Sequence, residues 1–129
     1  MRQAWLPAAP EGAPQARALV REAASELELD ANTTYELMLA TTEAFANAVE
    51  HGTPCEAGGV FLCVESHGRG VGVEVCDCGG CFPSRPDSRK PRAEGGRGIS
   101  IISAIMDSVE VLPDGHVTRV RFEKWLAPV

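Results

Sequence analysis

The stretch Glu43-Ala44-Phe45-Ala46-Asn47-Ala48-Val49-Glu50-His51-Gly52 decides how this chain is read. It closes a run that opens at Thr33-Thr34-Tyr35-Glu36, which has the Ser/Thr-x-x-Glu form of a capping box, and Gly52 and Pro54 mark its end. One helix is therefore predicted from Thr33 to Gly52. At ~100° per residue, Tyr35, Met38, Thr42, Phe45 and Val49 fall within a sector of about 80° and form the expected buried stripe. Glu43, Asn47 and His51, spaced i, i+4, i+8, line a polar ridge roughly 160° from the centre of that stripe. Such a ridge is either a solvated face or a set of groups that act together.

Outward from this helix, the pattern is consistent with one small domain over residues 1–129. Upstream, Pro14 suits a first helical turn, and Ala16, Leu19, Val20, Ala23, Ala24 and Leu27 recur at spacings of three and four, which predicts an amphipathic helix to about Glu28. A short extended segment precedes it. Downstream, residues 60–66 and 71–77 alternate Val or Leu with other residues and form a hairpin through His67-Gly68-Arg69-Gly70. Ile99, Ile102, Ile105 and Met106 mark a third helix. Val109 to Leu112, a Pro113-Asp114-Gly115 turn and Thr118 to Lys124 form a second hairpin, in whose last strand Thr118, Val120 and Phe122 share a face. The order of strand, helix, helix, two strands, helix, two strands predicts an α+β, two-layer sandwich: a mostly antiparallel sheet covered on one face by three helices.

Composition excludes several functions. With 18 acidic and 12 basic residues the net charge is −6, which argues against a nucleic-acid partner, because neutralising phosphates needs a concentrated basic surface. No apolar run approaches the ~20 residues of a membrane span, and the proline-interrupted N-terminus lacks the apolar core of a secretory signal. An intracellular protein is expected, with its five cysteines mostly free thiols in a reducing compartment.

Two further segments carry chemistry. Asp77-Cys78-Gly79-Gly80-Cys81 ends the second predicted hairpin strand with a carboxylate beside glycines, where a ligand can approach the backbone and an exocyclic amine such as that of adenine can be bound. The alternative is a plain strand-ending turn. Glu94-Gly95-Gly96-Arg97-Gly98-Ile99 feeds the third helix with exposed amides and an arginine, a combination suited to phosphate. Between them, residues 82–95 contain three prolines and no large aliphatic side chain, and their charge is +2 against −8 for the remainder. This stretch is read as a loop, either solvated or acting as a nucleotide lid.

Taken together and in order, the Glu43 to Gly52 helix, Asp77-Cys78-Gly79, Gly95-Gly96-Arg97-Gly98-Ile99 and Met106-Asp107 resemble the histidine-kinase-like ATPase (Bergerat) fold, and within it the bacterial anti-sigma factor serine/threonine kinases. The resemblance implies a cytoplasmic ATP-dependent kinase that transfers phosphate to Ser/Thr of an antagonist protein and sequesters a sigma factor, with homodimerisation a family expectation. By position it makes Glu43 the general base and Asn47 the ligand of the ATP-bound magnesium. It makes Asp77 the adenine anchor, with Gly79 admitting the base. It also places Gly96, Arg97 and Gly98 at the phosphates, assigns Thr118 to the adenine pocket, and matches His51 to a family histidine that a helix-capping role also explains.

Two departures from the family pattern are visible. Cys81 stands where the family's Asp-x-Gly-x-Gly has its last glycine, and the lid of residues 82–95 is short and proline-rich. They motivate an alternative, a catalytically weak or inactive protein-binding module of the same fold. A third reading is a zinc or thiol redox regulator, in which Cys76, Cys78 and Cys81 hold a metal with a fourth ligand from Cys55, Cys63, His51 or His67, or in which Cys78 and Cys81 sense redox state.

Overall fold

A computed structural model describes residues 1–51, 59–77, 96–114 and 117–126. The elements follow the expected order: β1 (Arg2–Pro7), α1 (Gly12–Glu26), α2 (Ala31–His51), β2 (Gly59–His67), β3 (Gly70–Cys76), α3 (Gly96–Ile105), β4 (Ser108–Asp114) and β5 (Val117–Trp125). The strands form one sheet in the order β1-β2-β3-β5-β4, and every neighbouring pair is antiparallel. The hairpin joining β2 to β3 turns at Gly68, whose φ of 55° lies in the left-handed region that glycine enters without strain.

Strand alternation sets the layers. Register pairs Leu62 with Val75, Val64 with Val73, Val75 with Val120 and Val73 with Phe122, so one face of the sheet is a continuous apolar surface. It packs against Ala16, Val20 and Ala23 of α1, Leu37, Ala40, Ala44 and Phe45 of α2, and Ile102 of α3. The helices therefore cover a single face. Across the opposite face Arg121 lies among Glu65, Glu74 and Glu123, and its guanidinium crosses Gly72, where a Cβ would come within 3.0 Å of it. Arg2 fastens β1 to α1 through Glu22 at 3.0 Å and Glu26 at 2.6 Å.

The rotation of α2 differs from the sequence expectation. Tyr35 is 64% exposed and Thr42 and Val49 are only half-buried, whereas Leu37, Ala40, Thr41, Ala44 and Phe45 face the sheet and the neighbouring helices. Alanines here let α2 approach the sheet closely, so the expected stripe, chosen for its larger side chains, is displaced to a flank and to the solvent. Only Phe45 belongs to both sets.

The start of α2 is corrected as well. The helix opens at Ala31, and the cap is Asp30: the Thr33 N–H donates to Asp30 Oδ1 at 2.8 Å, and the Thr34 hydroxyl donates to the Asp30 carbonyl at 2.8 Å. The Thr33 to Glu36 run thus lies within the first two turns of the helix rather than at its cap. Its hydrogen bonds to Thr33 hold the Asp30 carboxyl below its ordinary range. Stability linked to a depressed carboxyl is present above its unfolded-state pKa and is lost as pH falls through the folded one. Asp30→Asn, which still caps, is therefore expected to keep the melting temperature at pH 7 and to soften its fall towards pH 3; Asp30→Ala lowers it at neutral pH. Thermal denaturation at the two pH values checks both.

Gly12 marks a close approach at the start of α1. A Cβ there would stand 2.5 Å from Phe45 Cζ and 2.5 Å from the Pro7 carbonyl oxygen. Backbone and ring must both shift to admit it, so Gly12→Ala is expected to destabilise by about 1–3 kcal/mol, the range of core overpacking. Urea denaturation would measure it.

Candidate functional site

Glu43 and Asn47 occupy one side of α2, four residues apart, and both are half-buried. Phe45 fixes which side. It points to α1, where it packs at Gly12, and at ~100° per residue Glu43 and Asn47 project from the other flank. Glu36 and Ala40 share that flank. They do not lie opposite the buried face, as the sequence suggested; they border it, where a side chain can reach a ligand lodged between helix and sheet while remaining partly solvated.

That flank faces α3, which packs against α2. Lys124 shows how the two helices meet. Its Nζ donates to the carbonyl of Ile105, at the C-terminal end of α3, at 2.8 Å and pairs with Glu36 Oε1 at 2.9 Å. Glu36 on α2 and the end of α3 are thus held at one level.

Asp77 lies at the opposite end of β3 from Gly70. It continues the inward phase of Val71, Val73 and Val75, and it is only 5% exposed. A carboxylate this buried is costly without interactions, and Asp77 has one within the chain. The register pairs Gly70 with Trp125 and ends with Cys76 opposite Arg119, so Asp77 follows directly at the Arg119 end of β5. Lys124 marks the other end of β5. From Lys124 to the Thr118 end the strand rises about 20 Å, and from Glu36 to Asn47 the helix rises about 16 Å. Phe45 packs beside Pro7, which pairs with Gly59 at the Cys76 end of the sheet, so α2 runs from Glu36 towards the end that holds Asp77, and Asn47 lies towards that end.

Gly96, Arg97 and Gly98 form the first turn of α3, whose C-terminal end is the one anchored at Lys124. The backbone of Thr118 belongs to β5 and that of His51 closes α2; the side chains of Arg97, Thr118 and His51 lie outside the description. Gly79, Cys78, Cys81, Cys55 and the whole 82–95 segment lie outside the described residues. Among the described residues no group of three His, Cys, Asp or Glu side chains is arranged to hold a metal ion, and no helix is long and apolar enough to cross a membrane. Cys63 is half-buried, and burial pushes its thiol pKa up, away from the reactive thiolate.

The residues that sequence reasoning missed are Glu36, read only as part of a capping box, and Lys124. The signal for Lys124 was present: it follows Val120 and Phe122 in the inward phase of β5, where a charged amine needs partners.

Comparison with known proteins agrees with this fold. Residues 6–124 match the family described as the Histidine kinase-like ATPase domain. The chain is 28% identical over 124 residues to an "Anti-sigma F factor" of Clostridium acetobutylicum, covering 87% of this chain and 84% of that protein. Its fold is similar, with a TM-score of 0.76 and 20% identity, to the crystal structure of the RsbU and RsbW domains of Rv1364c from Mycobacterium tuberculosis. That match covers 97% of this chain, which spans about a third of the other (31%).

Proposed function

The chain belongs to the histidine kinase-like ATPase domain family, and from that membership we propose that it is an ATP-binding anti-sigma regulator that phosphorylates Ser/Thr of an antagonist protein and sequesters a sigma factor in the cytoplasm. The observation that carries the proposal is the buried Asp77 carboxylate, held on the helix side of the sheet at the end towards which Asn47 lies. The relative from Clostridium acetobutylicum supports the regulatory half.

The described residues fit a magnesium nucleotide. Asp77 is a carboxylate withdrawn from water, where an adenine amino group can donate to it with little competition from solvent, beside the interaction it already makes within the chain. Asn47 offers a neutral amide oxygen, a hard donor suited to magnesium. Magnesium, when bound, neutralises charge on the phosphate oxygens. Glu43, one turn before Asn47 on the same flank, would accept the proton of the attacking Ser or Thr hydroxyl. Half-burial suits that task, because the carboxylate must be ionised and yet face an incoming protein side chain. The first turn of α3, with Gly96, Arg97 and Gly98, would present amides and a cation to the phosphates. Thr118 would complete the adenine pocket beside Asp77, Gly79 would admit the base, and residues 82–95 would close over the nucleotide as a lid whose +2 charge complements the phosphates.

Capture of partners from the native cell on the immobilised chain, followed by incubation with γ-labelled ATP, tests both halves. The expected result is a retained sigma factor and a second retained protein that takes label on Ser or Thr. A retained sigma factor with no label on any bound protein would favour the second reading, a binding module without useful catalysis, to which Cys81 in place of the family glycine points.

A further inference from the structure

Lys124 is an expensive residue where it stands. Its side chain is 21% exposed and lies on the helix side of the sheet, in line with the buried Val120 and Phe122. A lysine there must find acceptors, and it finds two from different elements: the Ile105 carbonyl at 2.8 Å and Glu36 Oε1, itself 23% exposed, at 2.9 Å. The chain around it is sewn down on both sides. The Asp107 N–H donates to the Glu123 carbonyl at 2.9 Å, and the Trp125 N–H donates to Asp107 Oδ2 at 2.6 Å. The end of α3 is thereby fixed to β5 and to α2 at once, and the α2 contact falls on the flank that carries Glu43 and Asn47.

We propose that Lys124 and Glu36 are positioning residues for the nucleotide site, locking the C-terminal end of α3 to α2 so that the glycine turn at its N-terminus is held against the nucleotide phosphates. The inference rests on the reading of Gly96 to Gly98 as the phosphate turn. Neither residue touches the nucleotide. A ten-residue helix transmits a displacement of its anchored end to its other end as a rigid rod, and small displacements weaken contacts that depend on alignment.

The test compares binding of adenosine, ADP and ATP, with magnesium, to the wild-type chain, Lys124→Met, Lys124→Arg and Glu36→Gln. Lys124→Met is expected to lose about tenfold in affinity for ADP and ATP, the scale of a charge-assisted hydrogen bond, while its affinity for adenosine is unchanged. Lys124→Arg, whose guanidinium can still meet both acceptors, restores most of the loss, and Glu36→Gln shows a smaller loss of the same pattern. Equal losses for adenosine and ATP, or no loss for ATP, overturn the proposal. Should the wild-type chain bind none of the three, the reading of the site itself falls, and hydrogen exchange then judges the lock: unchanged exchange of the α3 amides in Lys124→Met overturns it, and faster exchange confined to α3 supports it.

Discussion

Glu43→Gln is expected to lower phosphoryl transfer to the antagonist protein by about 10²–10⁴-fold, the range a positioned general base supplies, while leaving ATP affinity where it was. The substitution keeps shape and hydrogen-bonding capacity and removes only the ability to take a proton. Glu43 is half-buried at the border of the α2 core face, so the amide adds little packing cost. The pattern matters more than the size. A fall in turnover with unchanged nucleotide affinity belongs to a group that acts in the transition state, whereas a parallel loss of ATP binding would make Glu43 a structural or binding residue. Single-turnover transfer from labelled ATP, with affinity measured by titration, separates the two outcomes.

The second large effect belongs to Asp77. Its burial means that on the proposed function the carboxylate would meet a bound base in a poorly solvated setting, where a hydrogen bond to a charged acceptor is worth about 1.5–3 kcal/mol. Asp77→Asn is therefore expected to weaken ATP binding about ten- to hundredfold. It should also change selectivity. A carboxylate accepts from the 6-amino group of adenine and offers nothing to the 6-oxo group of guanine, whereas an asparagine amide can donate to that oxygen. The preference for ATP over GTP is expected to narrow in Asp77→Asn. A variant that loses both nucleotides equally would show that Asp77 supports the fold rather than reads the base.

Much of this architecture is legible in the residues because strand alternation and helix ends are local properties. Val60, Leu62, Val64, Val71, Val73 and Val75 announce which face of the hairpin is buried, and the structure buries those residues. The family motifs single out Glu43, Asn47 and Asp77 by spacing alone; in the structure Glu43 and Asn47 share one flank of α2, and Asp77 is buried at the end of β3. The orientation of α2 was not legible. A helix with neighbours on both flanks and a sheet beneath has apolar residues on more than one side, and side-chain size ranks Tyr35 and Val49 above Ala40 and Ala44. Only the close approach of α2 to the sheet reverses that order. Asp30 was overlooked as a cap because Thr33 to Glu36 matches a capping box three residues later; both patterns are local, and the choice between them lies in backbone geometry. Lys124 was missed because its meaning depends on Ile105 and Glu36, which are brought to it by tertiary packing.

The charge distribution is also sharpened by the fold. Of the basic side chains on the described sheet, Arg119 and Arg121 pair with Glu74 on the face away from the helices, and Lys124 is engaged at the end of α3. By sequence, residues 82–95 carry +2 and the remainder of the chain −8.

The central claim, that this chain binds a magnesium nucleotide at Asp77 and Asn47, is tested most directly by titrating magnesium ATP into the wild-type protein in a calorimeter and following its melting temperature over the same range. Saturable binding of one nucleotide per chain is predicted, with a rise in melting temperature of roughly 10 °C when nucleotide reaches a hundred times its dissociation constant. No heat and no thermal shift at millimolar magnesium ATP would contradict the account.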